Sequence, residues 1–150
     1  MRYFLDTEFN GFGGELISLG LAAEEGDQDY YVALPLPAEV DPWVQNHVVP
    51  YLFQVPQALD NRLDRVAAAH DVAAYLSTDP APLIVADWPE DIALFCRLLL
   101  TGPRDIVDVG RIEFEFRRTP GFSTAHNSAV PHNALHDARA LRRFVLESER

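Results

Sequence analysis

The 150-residue sequence contains no lysine, one cysteine and one methionine. With Cys96 alone, no internal disulfide can form, and a reducing, cytoplasmic compartment is expected. The 12 basic side chains are all arginine and face 23 acids, a formal net charge of −11. That balance argues against a protein that coats long nucleic acid with a basic face. No apolar run approaches the ~20 residues of a membrane span. The N-terminus enters an apolar segment directly, without the basic-then-apolar order of a signal peptide, so neither membrane nor export is expected. There is no internal repeat, low-complexity tract or linker. The length suits one domain over 1–150, and 48% hydrophobic residues supply a core. Before Arg62 the only arginine is Arg2, and most lie from Arg97 onward.

What is present first is RYFLDTEF, residues 2–9, which reads as a strand. ELISLGLAAEE from Glu15 and QDYYVALPL from Gln28 read as two more, joined by the turn-like NGFGG and EGD. Short joins predict an antiparallel meander. Asp41 and Pro42 mark a helix start, and a second helix lies near LDRVAAAHDVAAYL. PLIVAD from Pro82 reads as a buried strand, and PEDIALFCRLLL as a helix stopped by Gly102 and Pro103. RDIVDVG from Arg104 reads as a short strand and RIEFEFRR continues the alternation. TPGFSTAHNSAVP reads as a loop before a final helix near NALHDARALRRFVLE. The order predicts an α/β mixed sheet with helices on its faces.

Three of these elements carry acids that point inward. Asp6 and Glu8 are two apart on a strand, so they share a face, roughly 6–7 Å apart along it. Asp91 heads the helical stripe Asp91, Leu94, Phe95, Leu98, and Asp137 heads Asp137, Leu141, Phe144. Asp87 rivals Asp91 for the same role. His132 stands five residues before Asp137, while His136 is rotated about 100° away and is expected to face solvent. Each residue alone has an ordinary reading: an edge strand in water, a helix-start charge, a surface histidine. Converging carboxylates without a cation would be very costly. Mg²⁺ or Mn²⁺ suits an all-oxygen set better than zinc does.

DTEF, PEDIALF and HNALHDARAL resemble the three motifs of the DEDDh 3′→5′ exonucleases, the DnaQ-like branch of the RNase H-like superfamily. Asp6 and Glu8 match the D-x-E motif, Asp91 the second motif, and His132, Ala134 and Asp137 the H-x-A-x-x-D motif. RYFLDTEF, ELISLG and DARALRRF are also similar to the small bacterial exoribonucleases called RNase AS, which favour polyadenylate. NGFGG departs from the acidic loop found there, and Glu90 from the usual aromatic residue. The resemblance implies an RNase H-like, mainly five-stranded sheet, its first three strands antiparallel and the later ones parallel, with helices on both faces. It implies two Mg²⁺ ions about 4 Å apart, with Mn²⁺ able to substitute, held by Asp6, Glu8, Asp91 and Asp137. His132 would act as general base, and nucleoside 5′-monophosphates would leave the 3′ end of single-stranded RNA. A homodimer is implied too.

Phe9, Asn10, Phe12 and Trp88 are candidate contacts to the substrate, with Phe122 as another candidate for base stacking and Arg111, Arg117 and Arg118 for the backbone. Competing readings are a single-stranded DNA exonuclease, a phosphohydrolase of small nucleotides and a non-catalytic RNA-binding domain.

Overall fold

A computed structural model describes every residue from Met1 to Arg150. Strands β1 (Arg2–Phe9), β2 (Leu16–Ala23) and β3 (Tyr30–Ala33) form the expected antiparallel meander. Helix α1 (Pro42–His47) and helix α2 (Arg65–Leu76) follow. Strand β4 (Leu83–Ala86) then pairs parallel to β1, beyond which helix α3 (Pro89–Leu98) begins. The five-stranded sheet has the order β3-β2-β1-β4-β7, in which β7 (Glu113–Phe116) pairs parallel to β4. Helix α5 (Ala134–Ser148) closes the chain, after the short α4 (Thr124–Asn127). This is the mixed α/β arrangement of RNase H-like folds.

Three expectations change. Helix α3 ends at Leu98, not Leu100, with the apolar stripe as expected, and RDIVDVG does not join the main sheet. Leu100–Gly102 (β5) and Asp105–Ile106 (β6) instead form a separate two-stranded hairpin. Pro103 and Arg104 make the turn between them, with Arg104 at φ 60°. Buried Leu99 and Val107 pin its ends, Val107 N–H donating to the Leu99 carbonyl at 2.9 Å. The stretch read as loop before the last helix contains α4, a single turn that the residues 119–131 signal too weakly.

The sheet separates two apolar layers. On one face Tyr3, Leu5, Leu19 and Leu21 pack against α2 and α3, including Val72, Phe95 and Leu98. On the other, Phe4, Ala22 and Val85 pack against Ala138, Leu141 and Val145 of α5. Each such fully buried side chain contributes about 1.5–3 kcal/mol. No helix is long and apolar enough to cross a membrane.

The seat of α5 depends on one glycine. Gly20 lies opposite Asp6 in the β1–β2 register. A methyl group at Gly20 would come within 2.7 Å of Leu135 Cα and closer still to the Ala134 carbonyl. The first turn of α5 therefore rests directly on the strand beside Asp6. Its rotation is fixed by Asp29, buried at the β2–β3 turn, which accepts from Arg139 Nε at 2.6 Å and from Arg142 at 3.0 Å. With those arginines held on one side, Asp137 faces the sheet. Gly20→Ala should therefore lower stability by about 1–3 kcal/mol in chemical unfolding and weaken divalent-cation binding. A variant as stable as the parent would contradict this seating of α5.

Candidate metal centre

β1 and β4 run parallel, so their C-terminal ends meet at one edge of the sheet. Open α/β sheets commonly bind ligands in the crevice at such ends. Asp6 and Glu8 lie in the second half of β1 and share Phe4's face, the face that α5 covers. Asp91 arrives from the opposite layer. Pro89 opens α3, and Asp91, in its first turn, is 2% exposed. Its Oδ1 accepts from Thr7 Oγ1 at 2.6 Å, so the threonine between the two acids holds the third.

Asn133 caps α5 by accepting from the Leu135 and His136 N–H groups. That cap leaves Asp137 in the first turn, 2% exposed. Its Oδ2 accepts the backbone N–H of His132 at 3.0 Å. His132 takes φ 65°, a left-handed backbone uncommon for a residue other than glycine. Its imidazole is thereby turned back toward the sheet. Ligand atoms of Glu8, His132 and Asp137 all lie within 4.8 Å of one another.

The electrostatics show how strained the group is. Burial pushes the Asp6 carboxyl well above its ordinary value, and Asp91, Asp137, Glu8 and Asp87 push it further. Glu8 is raised well above its ordinary value by burial and then by Asp137 and Asp91. Burial raises Asp91 to about 7, against the pull of the Thr7 hydrogen bond. Asp137 rises to about 6, again through burial. It is eased by the Ser128 hydroxyl, which approaches without hydrogen-bond geometry, and by the His132 N–H. Asp87 is raised by burial while Thr119 donates to it at 3.2 Å. His132 is lowered, by burial first and then by His47.

Two observations make a divalent cation a fitting occupant. Asp137 Oδ1 is buried with no hydrogen-bond partner. The converging donors are mostly carboxylate oxygens, which hard divalent ions favour, with one imidazole beside them. Glu8 and Asp137 could hold an ion directly, with Asp6, Asp91 and the His132 imidazole beside them.

A cleft of about 530 Å³ opens next to the acids, lined by Glu8, Phe9, Phe12, Trp43, Trp88 and His132. Phe12 is fully exposed at the tip of the loop after β1, between Gly11 and Gly13 at φ 73° and 71°. Glu90 steadies that loop by accepting the Gly13 N–H at 3.0 Å. Asn10 stands apart from the other expected substrate contacts. Its amide donates to the Glu39 carbonyl at 2.8 Å and accepts the Asp41 N–H at 2.7 Å. Phe122 packs on Phe144, with ring centroids 5.4 Å apart, beside the α5 core. Arg111 pairs with Glu113, and Arg117 with Glu149. His136 is half-buried rather than solvent-facing, and its Nε2–H donates to the Gln54 carbonyl at 2.8 Å, away from the acids.

No protein-family model matches the chain. Over 55 residues the chain is 47% identical to proteins named 3′-5′ exoribonuclease from two strains of Mycobacterium tuberculosis, CDC 1551 / Oshkosh and H37Rv. That stretch is 35% of this chain and 33% of each relative, so the match spans about a third of their length.

Sequence reasoning missed Thr7, Trp43 and Ser128. Only Trp43 carried a signal, four residues before His47 on the helix that Asp41 and Pro42 begin.

Raised carboxyl values mean the folded state holds more protons than the unfolded chain between the ordinary aspartate value of 3.8 and about 7. Stability contributed by these groups therefore falls as pH rises through that window. In chelator, the melting temperature should drop on going from mildly acidic to neutral pH, and excess Mg²⁺ should flatten the drop. A melting curve in chelator that is insensitive to pH across this window would contradict the cluster.

Proposed function

We propose that this chain is a metal-dependent 3′→5′ exoribonuclease, releasing nucleoside 5′-monophosphates from the 3′ end of single-stranded RNA. The observation that carries the reading is the meeting of Asp6, Glu8, Asp91, Asp137 and His132 at the mouth of an aromatic cleft. The stretch similar to proteins named 3′-5′ exoribonuclease supports the same reaction class.

Asp6, Glu8, Asp91 and Asp137 would hold two Mg²⁺ ions, for which Mn²⁺ would substitute. When bound, the ions supply Lewis-acid and charge-neutralising chemistry at the scissile phosphodiester. With ions bound, the repulsion among the four carboxylates would be relieved, which would let a strongly acidic chain approach a polyanion. Burial holds the His132 pKa below its ordinary value, which favours the neutral imidazole. One ring nitrogen is therefore free to accept a proton from the attacking water. Thr7 fixes the direction of the Asp91 carboxylate, leaving its second oxygen for the ion.

The cleft accepts a terminal nucleotide. Its volume of about 530 Å³ lies in the usual range for small-ligand sites, and its walls Phe9, Phe12 and Trp88 offer flat faces to bases. Stacking of that kind contributes about 1–3 kcal/mol per base. Asn10 acts indirectly, by tying the Phe12 loop to the segment that begins α1. A continuous duplex does not expose such a base, which favours a free 3′ end.

Digestion of 5′-labelled RNA and DNA homopolymers, with Mg²⁺ and with chelator, tests the reading. A ladder from RNA that chelator abolishes is expected, and the homopolymer series reports any preference for adenylate. Cleavage of dinucleotides alone would make this a small-nucleotide phosphohydrolase instead. Asp6→Asn should remove activity while the protein stays folded. His132→Ala should lose about 10²- to 10⁴-fold in rate while calorimetry still records Mn²⁺ binding. Full activity in either variant would refute the assignment.

A further inference from the structure

We propose that Trp43 is a positioning residue for His132: the indole, braced by His47, holds the imidazole in its working orientation through a perpendicular ring contact. The inference rests on the proton-accepting role given to His132 above.

The backbone at His132 is already fixed. Its φ is 65°, its N–H donates to Asp137 Oδ2 at 3.0 Å, and the next residue, Asn133, donates to the Tyr51 carbonyl at 2.8 Å. What remains free is rotation of the side chain, and half-burial alone does not stop it. The Trp43 ring lies 5.1 Å from the imidazole, centroid to centroid, with the planes at 83°. That is the edge-to-face arrangement favoured by aromatic quadrupoles. A turned imidazole would lose this contact.

Trp43 is itself held. Its ring stacks on His47 at 4.6 Å and 15°. The His47 Nδ1–H donates to the Trp43 carbonyl at 2.8 Å, one helical turn back. Asp41 caps α1 by accepting the Trp43 and Val44 N–H groups. The Asp41 N–H in turn donates to Asn10, two residues beyond Glu8. On the inner side of α1, buried Val44 and Val48 pack with Ala134 and Leu135 of α5. The helix thus connects the strand carrying Asp6 and Glu8 to the turn carrying His132. Because Trp43 is half exposed, burial does not explain a tryptophan at this position.

The test combines NMR of the metal-free protein with kinetics. Wild type should give a nuclear Overhauser effect between indole protons of Trp43 and imidazole protons of His132, assigned with His132→Ala. Trp43→Leu should shift the His132 ring resonances. It should also lower kcat about three- to tenfold on both an RNA oligonucleotide and bis(p-nitrophenyl) phosphate, which has no base to stack. Trp43→Phe should restore most of that loss, and folding of both variants is checked by their unchanged methyl spectra. If Trp43→Leu raises KM for the oligonucleotide alone and leaves kcat unchanged on both substrates, Trp43 is a base platform and the proposal fails. Absence of the Overhauser effect also overturns it. A wild type with the effect but no hydrolysis refutes the exoribonuclease reading, and with it a catalytic purpose for the contact.

Discussion

Mutual repulsion among carboxylates at the end of β1 is the constraint on which the rest of the arrangement turns. Asp6, Glu8, Asp91 and Asp137 are all raised above their ordinary values, each by burial first. No arginine is bonded to any of them; Arg139 and Arg142 of α5 are directed to Asp29 instead. A buried charge that lacks a partner costs several kcal/mol. A fold that keeps such a group places it where a cation from solution can reach it. The edge of the sheet, beside an open cleft, is such a place.

The architecture brings the acids in from two layers. β1 lies at the centre of the sheet, between β2 and β4. α3 packs on its Leu5 and Thr7 side and delivers Asp91, while α5 packs on its Phe4 side and delivers Asp137. Gly20 and the Asp29 ion pairs set how close and at what rotation α5 arrives. The features that hold the acid cluster are thus ordinary packing devices: a missing Cβ, a buried acid between two arginines, an asparagine cap. None of them lines the cleft, and all of them decide where Asp137 stands.

Much of this was legible because it follows short periods. Spacing of two put Asp6 and Glu8 on one face, and the helical stripes below Asp91 and Asp137 pointed both inward, where they are 2% exposed. The meander followed from join lengths and the mixed sheet from helices alternating with later strands, while the parallel return of β4 was implied by the family resemblance. The hairpin of Leu100–Ile106 was not legible, because Leu100 and Ile106 are apolar yet exposed, and local pattern cannot tell a detached hairpin from a sheet strand. His136 escaped for a related reason. Helical rotation removed it from the acids, but only the distant Gln54 carbonyl explains why it is half-buried. Thr7 on Asp91 and Trp43 on His132 join residues more than 80 positions apart, and no single-sequence pattern encodes such pairs.

The loop after DTEF joins the acid cluster to the cleft. Gly11 and Gly13 let it turn, Glu90 and Asn10 anchor it, and Phe12 stands exposed at its tip. The acid cluster and the aromatic wall therefore share one strand end. The most direct measurement of the central claim is anomalous diffraction from crystals grown with Mn²⁺. The account predicts two peaks ligated by Asp6, Glu8, Asp91 and Asp137. Crystals saturated with Mn²⁺ that show no peak between these carboxylates would contradict it.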